Sequence, residues 1–270
     1  MSVRRIWRLI PLRAEDAARN MAVDEAIFRV YAEGRVPPTL RFYTWDPSAV
    51  SCGRFQNVAG EVDLDGLARL GFGVVRRPTG GRAVLHRGDL TYAVVTGARD
   101  GLPAGVLPAY LYLSQGLLSG LSLLGIKAEL HTPAGKEGAR GNPACFASPS
   151  WYELTVAGRK VAGSAQRREG GALLQHGSIM VSFAPAELAA VLRPSKPMPD
   201  YAAQLARSAA GLGEFAPGLT IPRLAAAMVK GFMEALPIEF QEGGLTEEEE
   251  RLAEELRPKY AEEAWSAKCH

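Results

Sequence analysis

The sequence predicts an α+β fold, with strands and helices sharing one core and a helical appendage at the C-terminus. Three observations carry this. Short apolar runs bounded by turn residues recur through the first 182 residues, as strands do. Two longer stretches, 15–32 and 108–124, place apolar residues at helical spacing between those runs. After Arg193 the segment P-S-K-P-M-P reads as a linker, and only helical patterns follow it.

Residues 5–10, R-I-W-R-L-I, are short and partly alternating, a first strand. The helix over 15–32 sets Met21, Ala22, Val23, Ala26, Ile27, Val30 and Tyr31 on its buried side. Glu15 and Asp16 fall in its first turn, where the helix dipole favours anions, and Gly34 with Pro37-Pro38 ends it. L-R-F-Y-T-W (40–45) and A-V-S-C (49–52) are two strands joined through Asp46-Pro47. A strand over 72–78 stops at Pro78, Thr79 to His86 form a glycine-containing loop, and 89–95 is the next strand.

Leu113, Leu117, Leu121 and Leu124 stripe the second helix, which Gly125 stops. A strand near 126–131 leads into T-P-A-G-K-E-G-A-R-G-N-P-A, a polar loop rich in Gly and Pro that ends at Cys145. Trp151, Glu153 and Thr155 then share one strand face. Ala157-Gly158 allows a tight reversal. The return strand starts at Arg159-Lys160 and thins to Gly163-Ser164-Ala165, small residues that suit close approach to the backbone. Residues 172–182 form one more strand, a helix follows from Pro185, and helical patterns occupy 200–212 and 221–236. Thr246 with Glu249 three residues on is a capping box for a last helix.

Composition narrows the function classes. Cys52, Cys145 and Cys269 have no paired spacing, which argues against a disulfide framework and points to a cytoplasmic protein. No signal peptide and no 18-residue apolar run is expected, hence no membrane. The net charge of +2 hides an asymmetry: residues 242–263 hold nine Glu against Arg251, Arg257 and Lys259, leaving the rest near +8. That excess suits an acidic protein partner as well as nucleic acid. The Glu run itself reads as a solvated face.

Cys145 sits among Pro143, Phe146, Ser148 and Pro149, in an ordered loop rather than a helix or strand interior. A nearby cation favours the nucleophilic thiolate, and Lys160 on the following hairpin is placed to supply one. The alternative is an ordinary packing or surface thiol. Cys52, in an apolar run, reads as inert core. His86 and His176 are structural histidines or bases, and two histidines alone make no metal site. Gly80 and Gly81 beside Arg76, Arg77, Arg82 and Arg87 give either an anion-binding loop or a hairpin turn with a solvated basic face. No phosphate-binding glycine motif and no G-x-S-x-G occurs.

Four motifs then act together: R-R-P-T-G-G-R-A-V-L-H (76–86), C-F-A-S-P-S-W-Y-E-L (145–154), G-R-K-V-A-G-S-A-Q (158–166) and L-Q-H-G-S-I (174–179). They resemble the biotin/lipoyl protein ligase and transferase family, in particular its cysteine-dependent octanoyltransferases of the Gram-positive type. N-M-A-V-D-E-A (20–26), R-F-Y-T-W-D-P (41–47) and K-Y-A-E-E-A-W (259–265) extend the likeness over nearly the whole chain.

The resemblance implies a central mixed β-sheet flanked by helices, like the catalytic domain of biotin and lipoyl ligases. Residues 1–215 would be the acyltransferase domain and 216–270 a helical extension packed on it. It implies transfer of octanoyl from octanoyl-acyl carrier protein, through a thioester on Cys145, to a lysine of a lipoyl-domain protein such as the glycine cleavage H protein. Lys160 would activate the thiol and polarise the carbonyl. Arg77, Thr79, Gly80, Gly81, His86, Gly163, Ser164, Ala165 and His176 would line the acyl pocket. A thioester is already activated, so no ATP, cofactor or metal is expected. No nucleic acid is expected either, since the helix-turn-helix extension of some relatives is absent from the sequence. Lipoate ligases of this fold usually carry a third glycine where this chain has Arg82. The ATP-dependent ligase is thus the alternative, followed by an octanoyl amidotransferase or a non-catalytic acyl-binding protein.

Overall fold

A computed structural model describes residues 4–131, 153–194 and 198–263. In chain order the elements are β1 (Arg5–Glu15), α1 (Ala17–Ala32), β2 (Thr39–Trp45), β3 (Ala49–Cys52), α2 (Val58–Glu61), α3 (Leu64–Arg69), β4 (Gly73–Arg76), β5 (Val84–His86), β6 (Asp89–Gly97) and α4 (Val106–Leu123). Then follow β7 (Glu129–Leu130), β8 (Leu154–Val156), β9 (Arg159–Glu169), β10 (Ala172–Met180), α5 (Pro185–Val191), α6 (Tyr201–Ser208), α7 (Ile221–Ala235), β11 (Ile238–Glu242) and α8 (Glu247–Glu263).

The main sheet runs β11-β1-β2-β6-β10-β9-β8-β7. Its pairs β11/β1 and β1/β2 are parallel and the remainder antiparallel, a mixed sheet as the resemblance implies. Strand alternation divides the core. Trp7, Leu9, Leu40, Phe42, Leu90, Tyr92 and Val94 face α4 and α7, while Ile10, Tyr43, Ala93, Val95 and Leu174 face α1 and α8.

A second sheet, β4-β3-β5, stands apart from the first. The strand patterns at 40–45 and 49–52 therefore belong to different sheets. β4 and β5 flank β3 rather than each other, so the loop between them is no hairpin. Val50, Cys52, Val62, Leu67, Leu188 and Leu205 pack this small sheet against α2, α3, α5 and α6. The two short helices α2 and α3 have no counterpart in the sequence reading, being too short to show a period. β11 is likewise an addition: after residue 216 the chain supplies an edge strand to the main sheet as well as helices.

α4 is long and apolar enough to span a bilayer by length and composition, at 18 residues and mean hydropathy 1.2, a run the sequence reading did not register. Its buried stripe of Leu113, Leu117 and Leu121 is covered by the core and by α7. The two helices touch backbone to backbone. A methyl on Gly231 would lie 2.2 Å from Gly120 N and 2.5 Å from Gly116 O, so no side chain fits there.

Asp16 caps α1 by accepting from the Arg19 N–H at 2.7 Å; Glu15 ends β1 instead of opening the helix. The capping box at α8 forms as expected, Thr246 N–H donating to Glu249 at 2.7 Å and Glu249 N–H to Thr246 Oγ1 at 3.2 Å. The Glu run departs from a solvated face. Glu249 is fully buried and takes both ends of the Arg8 guanidinium, while Glu250 and Glu254 hold Arg19. Part of the basic excess of the chain is thus neutralised within it.

Glu25 on α1 is the other anchor of α8. It accepts from Tyr260 and from Lys259 at 2.9 Å, and from Arg29 at 3.0 Å on its own helix. Burial alone would raise its carboxyl, but these donors outweigh burial and hold it at about 2. A depressed folded-state value stabilises fully above the ordinary carboxyl value and is lost as pH falls toward about 2. Glu25→Gln is expected to cost about 3 kcal/mol at neutral pH and to flatten the acid limb of the unfolding curve, measured by denaturant titration from pH 7 to 2.

Candidate active site

The loop between β4 and β5 is built by two arginines that the sequence offered as part of either an anion-binding loop or a solvated basic face. Arg76 and Arg77 are 8% and 6% exposed. Arg76 Nη1 donates to the carbonyls of Gly53, Arg54 and Gln56 at 2.7–3.2 Å. Arg77 donates to the Gly80 and Arg82 carbonyls at 2.8 Å each and to the Ser51 carbonyl at 2.8 Å. A guanidinium has five donors in a rigid fork, which suits it to bracing several carbonyls at once. The solvated basic face fails at these two positions; Arg87, which is exposed, pairs with Glu187.

The turn 53–57 lies on this loop. Arg54 N–H donates to Thr79 O at 2.9 Å, and a methyl on Gly53 would lie 1.9 Å from Gly81 O. Only glycine at 53 lets the two backbones meet. The neighbouring Cys52 is buried, and burial pushes its thiol up to about 11 against the nearby arginines, in keeping with an inert core residue.

Both histidines are buried at 5% exposure, each between a hydroxyl and a carboxylate. His176 on β10 meets Thr79 Oγ1 at 2.6 Å through Nε2 and Asp24 at 3.0 Å through Nδ1. Asp24 also accepts from Arg41 at 2.6 Å and Tyr43 at 2.7 Å. Burial opposes ionisation of Asp24, yet the His176 and Tyr43 hydrogen bonds and the Arg41 charge hold its carboxyl below the usual range. Burial lowers His176 despite the carboxylate, which favours the neutral ring. His86 on β5 meets Ser51 Oγ at 2.8 Å and Asp89 at 2.8 Å, and its ring stacks on Trp45 at 4.0 Å.

Along β9, Gly163, Ser164 and Ala165 lie opposite Ser178, Gly177 and His176 of β10. Ser164 Oγ bonds Tyr92 OH at 2.7 Å, and Gln175 donates to the same phenol at 2.9 Å. Tyr110 of α4 lies beside Ser164, Tyr92 and Glu153, and burial pushes its phenol far above the ordinary value.

Lys160 is the second residue of this strand and is fully buried. The turn before it forms as the sequence indicates, Ala157 and Gly158 both at positive φ (49° and 74°), closing a two-residue hairpin. Lys160 Nζ donates to Glu153 at 2.5 Å, a buried ion pair in a low-dielectric setting. Cys145, the other expected catalytic residue, lies outside the described residues.

Glu153, Asp24, Asp89, Tyr92 and Tyr110 were not singled out from the sequence. Glu153 alone had a readable signal: the hairpin sets Thr155 opposite Lys160, so Glu153, two residues earlier, shares that face. The others reach the site from distant segments.

The eight-stranded mixed sheet flanked by helices is the fold of the lipoate-protein ligase catalytic domains. The chain belongs to the lipoyl protein ligase A/B catalytic domain family, whose model matches residues 16–233. More particularly, it is similar to octanoyltransferase LipM of Kyrpidia tusciae, 44% identical with 96% of this chain and 98% of that protein covered. LipM of Brevibacillus brevis is also 44% identical, with the same coverage of 96% and 98%. Among solved structures, a bi-partite lipoate protein ligase from Thermoplasma acidophilum matches with TM-score 0.79 and 29% identity over 97% of this chain and 96% of that one. A lipoate-protein ligase A bound with ATP matches with TM-score 0.77 and 30% identity, covering 96% and 95%.

Proposed function

We propose that the chain is an octanoyltransferase of lipoate biosynthesis that carries the acyl group on Cys145 and polarises it with Lys160. The full-length likeness to octanoyltransferases supports the activity. The observation that supports the role of Lys160 is its burial with Glu153 at 2.5 Å, a charge held out of water at the start of the strand bearing Gly163, Ser164 and Ala165. A buried ammonium acts in low dielectric, where its pull on a developing oxyanion is strongest.

In the first half-reaction the Cys145 thiolate attacks the octanoyl thioester, a new C–S bond forms, and the carrier thiol leaves with a proton. In the second, the ε-amine of an acceptor lysine attacks, the amide C–N bond forms, and Cys145 is released as the amine loses its proton. A thioester-to-amide transfer runs downhill, so no ATP enters. Splitting the reaction lets two carrier proteins use one site in turn. The donor in this reading is octanoyl-acyl carrier protein and the acceptor a lipoyl domain, the glycine cleavage H protein among them. Thr79, Gly80, Gly81, His86, His176 and the 163–165 segment shape the acyl site, with Arg77 bracing the loop.

Mixing the chain with octanoyl-acyl carrier protein and measuring intact mass is expected to show one octanoyl adduct, lost on adding the acceptor protein. The likeness to lipoate ligases favours a second reading. No adduct, with acceptor modification strictly dependent on ATP and free lipoate, would establish the ligase instead.

A further inference from the structure

Two hydroxyl–imidazole–carboxylate chains converge on the loop Arg77–Arg82 from opposite sheets. One runs Asp24–His176–Thr79 and enters from the main sheet. The other runs Asp89–His86–Ser51 and continues to Arg77, which donates to Ser51 Oγ at 3.2 Å. Every member is nine-tenths or more buried.

The proton inventory orders each chain. Asp24 is surrounded by donors, the Arg41 guanidinium, the Tyr43 phenol and His176 Nδ1. Asp89 Oδ2 likewise receives Thr91 at 3.0 Å and Ser178 at 2.7 Å besides His86 Nδ1. An ionised carboxylate only accepts, so each ring holds a proton on Nδ1, and a neutral ring then presents Nε2 as an acceptor. Thr79 and Ser51 must then donate their single hydroxyl protons to the histidines. That leaves Thr79 no proton for a substrate carbonyl.

We propose that Asp24 and Asp89 are positioning residues for acyl-donor binding: each sets a histidine tautomer, and the rings anchor the loop 77–82, His176 to β10 and His86, through Ser51 and Arg77, to β3. This rests on the octanoyltransferase reading. It goes beyond it in assigning Thr79 and both histidines to holding the loop's shape, not to transferring protons in the reaction.

The test joins a spectroscopic and a kinetic readout on the full chain. Two-dimensional ¹⁵N–¹H NMR of the histidine-labelled protein is expected to show both His86 and His176 as Nδ1–H tautomers. Asp89→Asn, which presents a donor to the ring, should flip His86 to the Nε2–H form. It should also raise KM for octanoyl-acyl carrier protein by about 10-fold while kcat moves by less than about 3-fold, the former equivalent to about 1.4 kcal/mol of binding. Asp24→Asn should do the same through His176. Because it also strips Arg41 of its counter-ion, Thr79→Val serves if that variant does not fold, with Thr79→Ser rescuing most of the loss in KM. An Nε2–H tautomer for either histidine in the parent chain would overturn the proposal. So would a Thr79→Val or Asp89→Asn variant with an unchanged KM. Absence of octanoyl transfer by the parent chain would instead defeat the proposed function, and the tautomers would still be read.

Discussion

Cys145→Ser is expected to stop transfer from octanoyl-acyl carrier protein, with the single-turnover rate falling at least about 10³-fold and no octanoyl adduct forming at that residue. A thiol near its ordinary pKa already holds a few per cent thiolate at neutral pH, whereas a serine hydroxyl needs a base to take its proton. The two histidines of the site are not free to serve. The Nε2 of His176 faces Thr79 at 2.6 Å and that of His86 faces Ser51 at 2.8 Å, each ring being held at Nδ1 by a carboxylate. The measurement is quenched-flow loss of octanoyl from the carrier, with circular dichroism to establish that the fold is intact. Turnover within 10-fold of the parent would end the covalent mechanism.

Lys160→Ala should carry two separable losses. The first is chemical: in the role proposed for Lys160, loss of its buried ammonium costs about 10²–10³ in rate. The second is structural, because Glu153, at 4% exposure, loses the buried ammonium it holds at 2.5 Å. Breaking a buried pair by deleting one partner costs about 3–5 kcal/mol. Lys160→Ala combined with Glu153→Gln removes the carboxylate charge too and should recover much of the stability without recovering the rate. Single-turnover kinetics report the first effect and denaturant midpoints the second. A double variant that is stable and also turns over like the parent would remove Lys160 from the chemistry.

Local rules made much of the fold legible. The Ala157-Gly158 reversal, the Thr246/Glu249 capping box, the leucine stripe of α4 and the strands at 40–45, 89–95 and 172–182 are set by residues within one or two turns of each other. Period and cap chemistry act over that range. α2 and α3 fall below it, with four and six residues. The edge strand β11 also escaped, because its partner β1 lies at the other end of the chain.

Arginines 76 and 77 show why the site was read less well than the fold. In sequence they are two adjacent positive charges, and nothing nearby states whether water or backbone carbonyls will solvate them. Their buried partners at Ser51, Gly53, Gln56 and Gly80 exist only once β3 lies between β4 and β5.

By itself the sequence determined the alternation of strands and helices, the hairpin that delivers Lys160, and the residue types of a glycine loop and two histidines. Tertiary structure alone decided what those residues face. Thr79 and His176 stand 97 residues apart and Asp24 and His176 152 apart, yet they share hydrogen bonds. Such contacts follow from which strands pair and which faces they bury. That choice is made by the summed burial of whole sheets and helices, and no short stretch of chain encodes it.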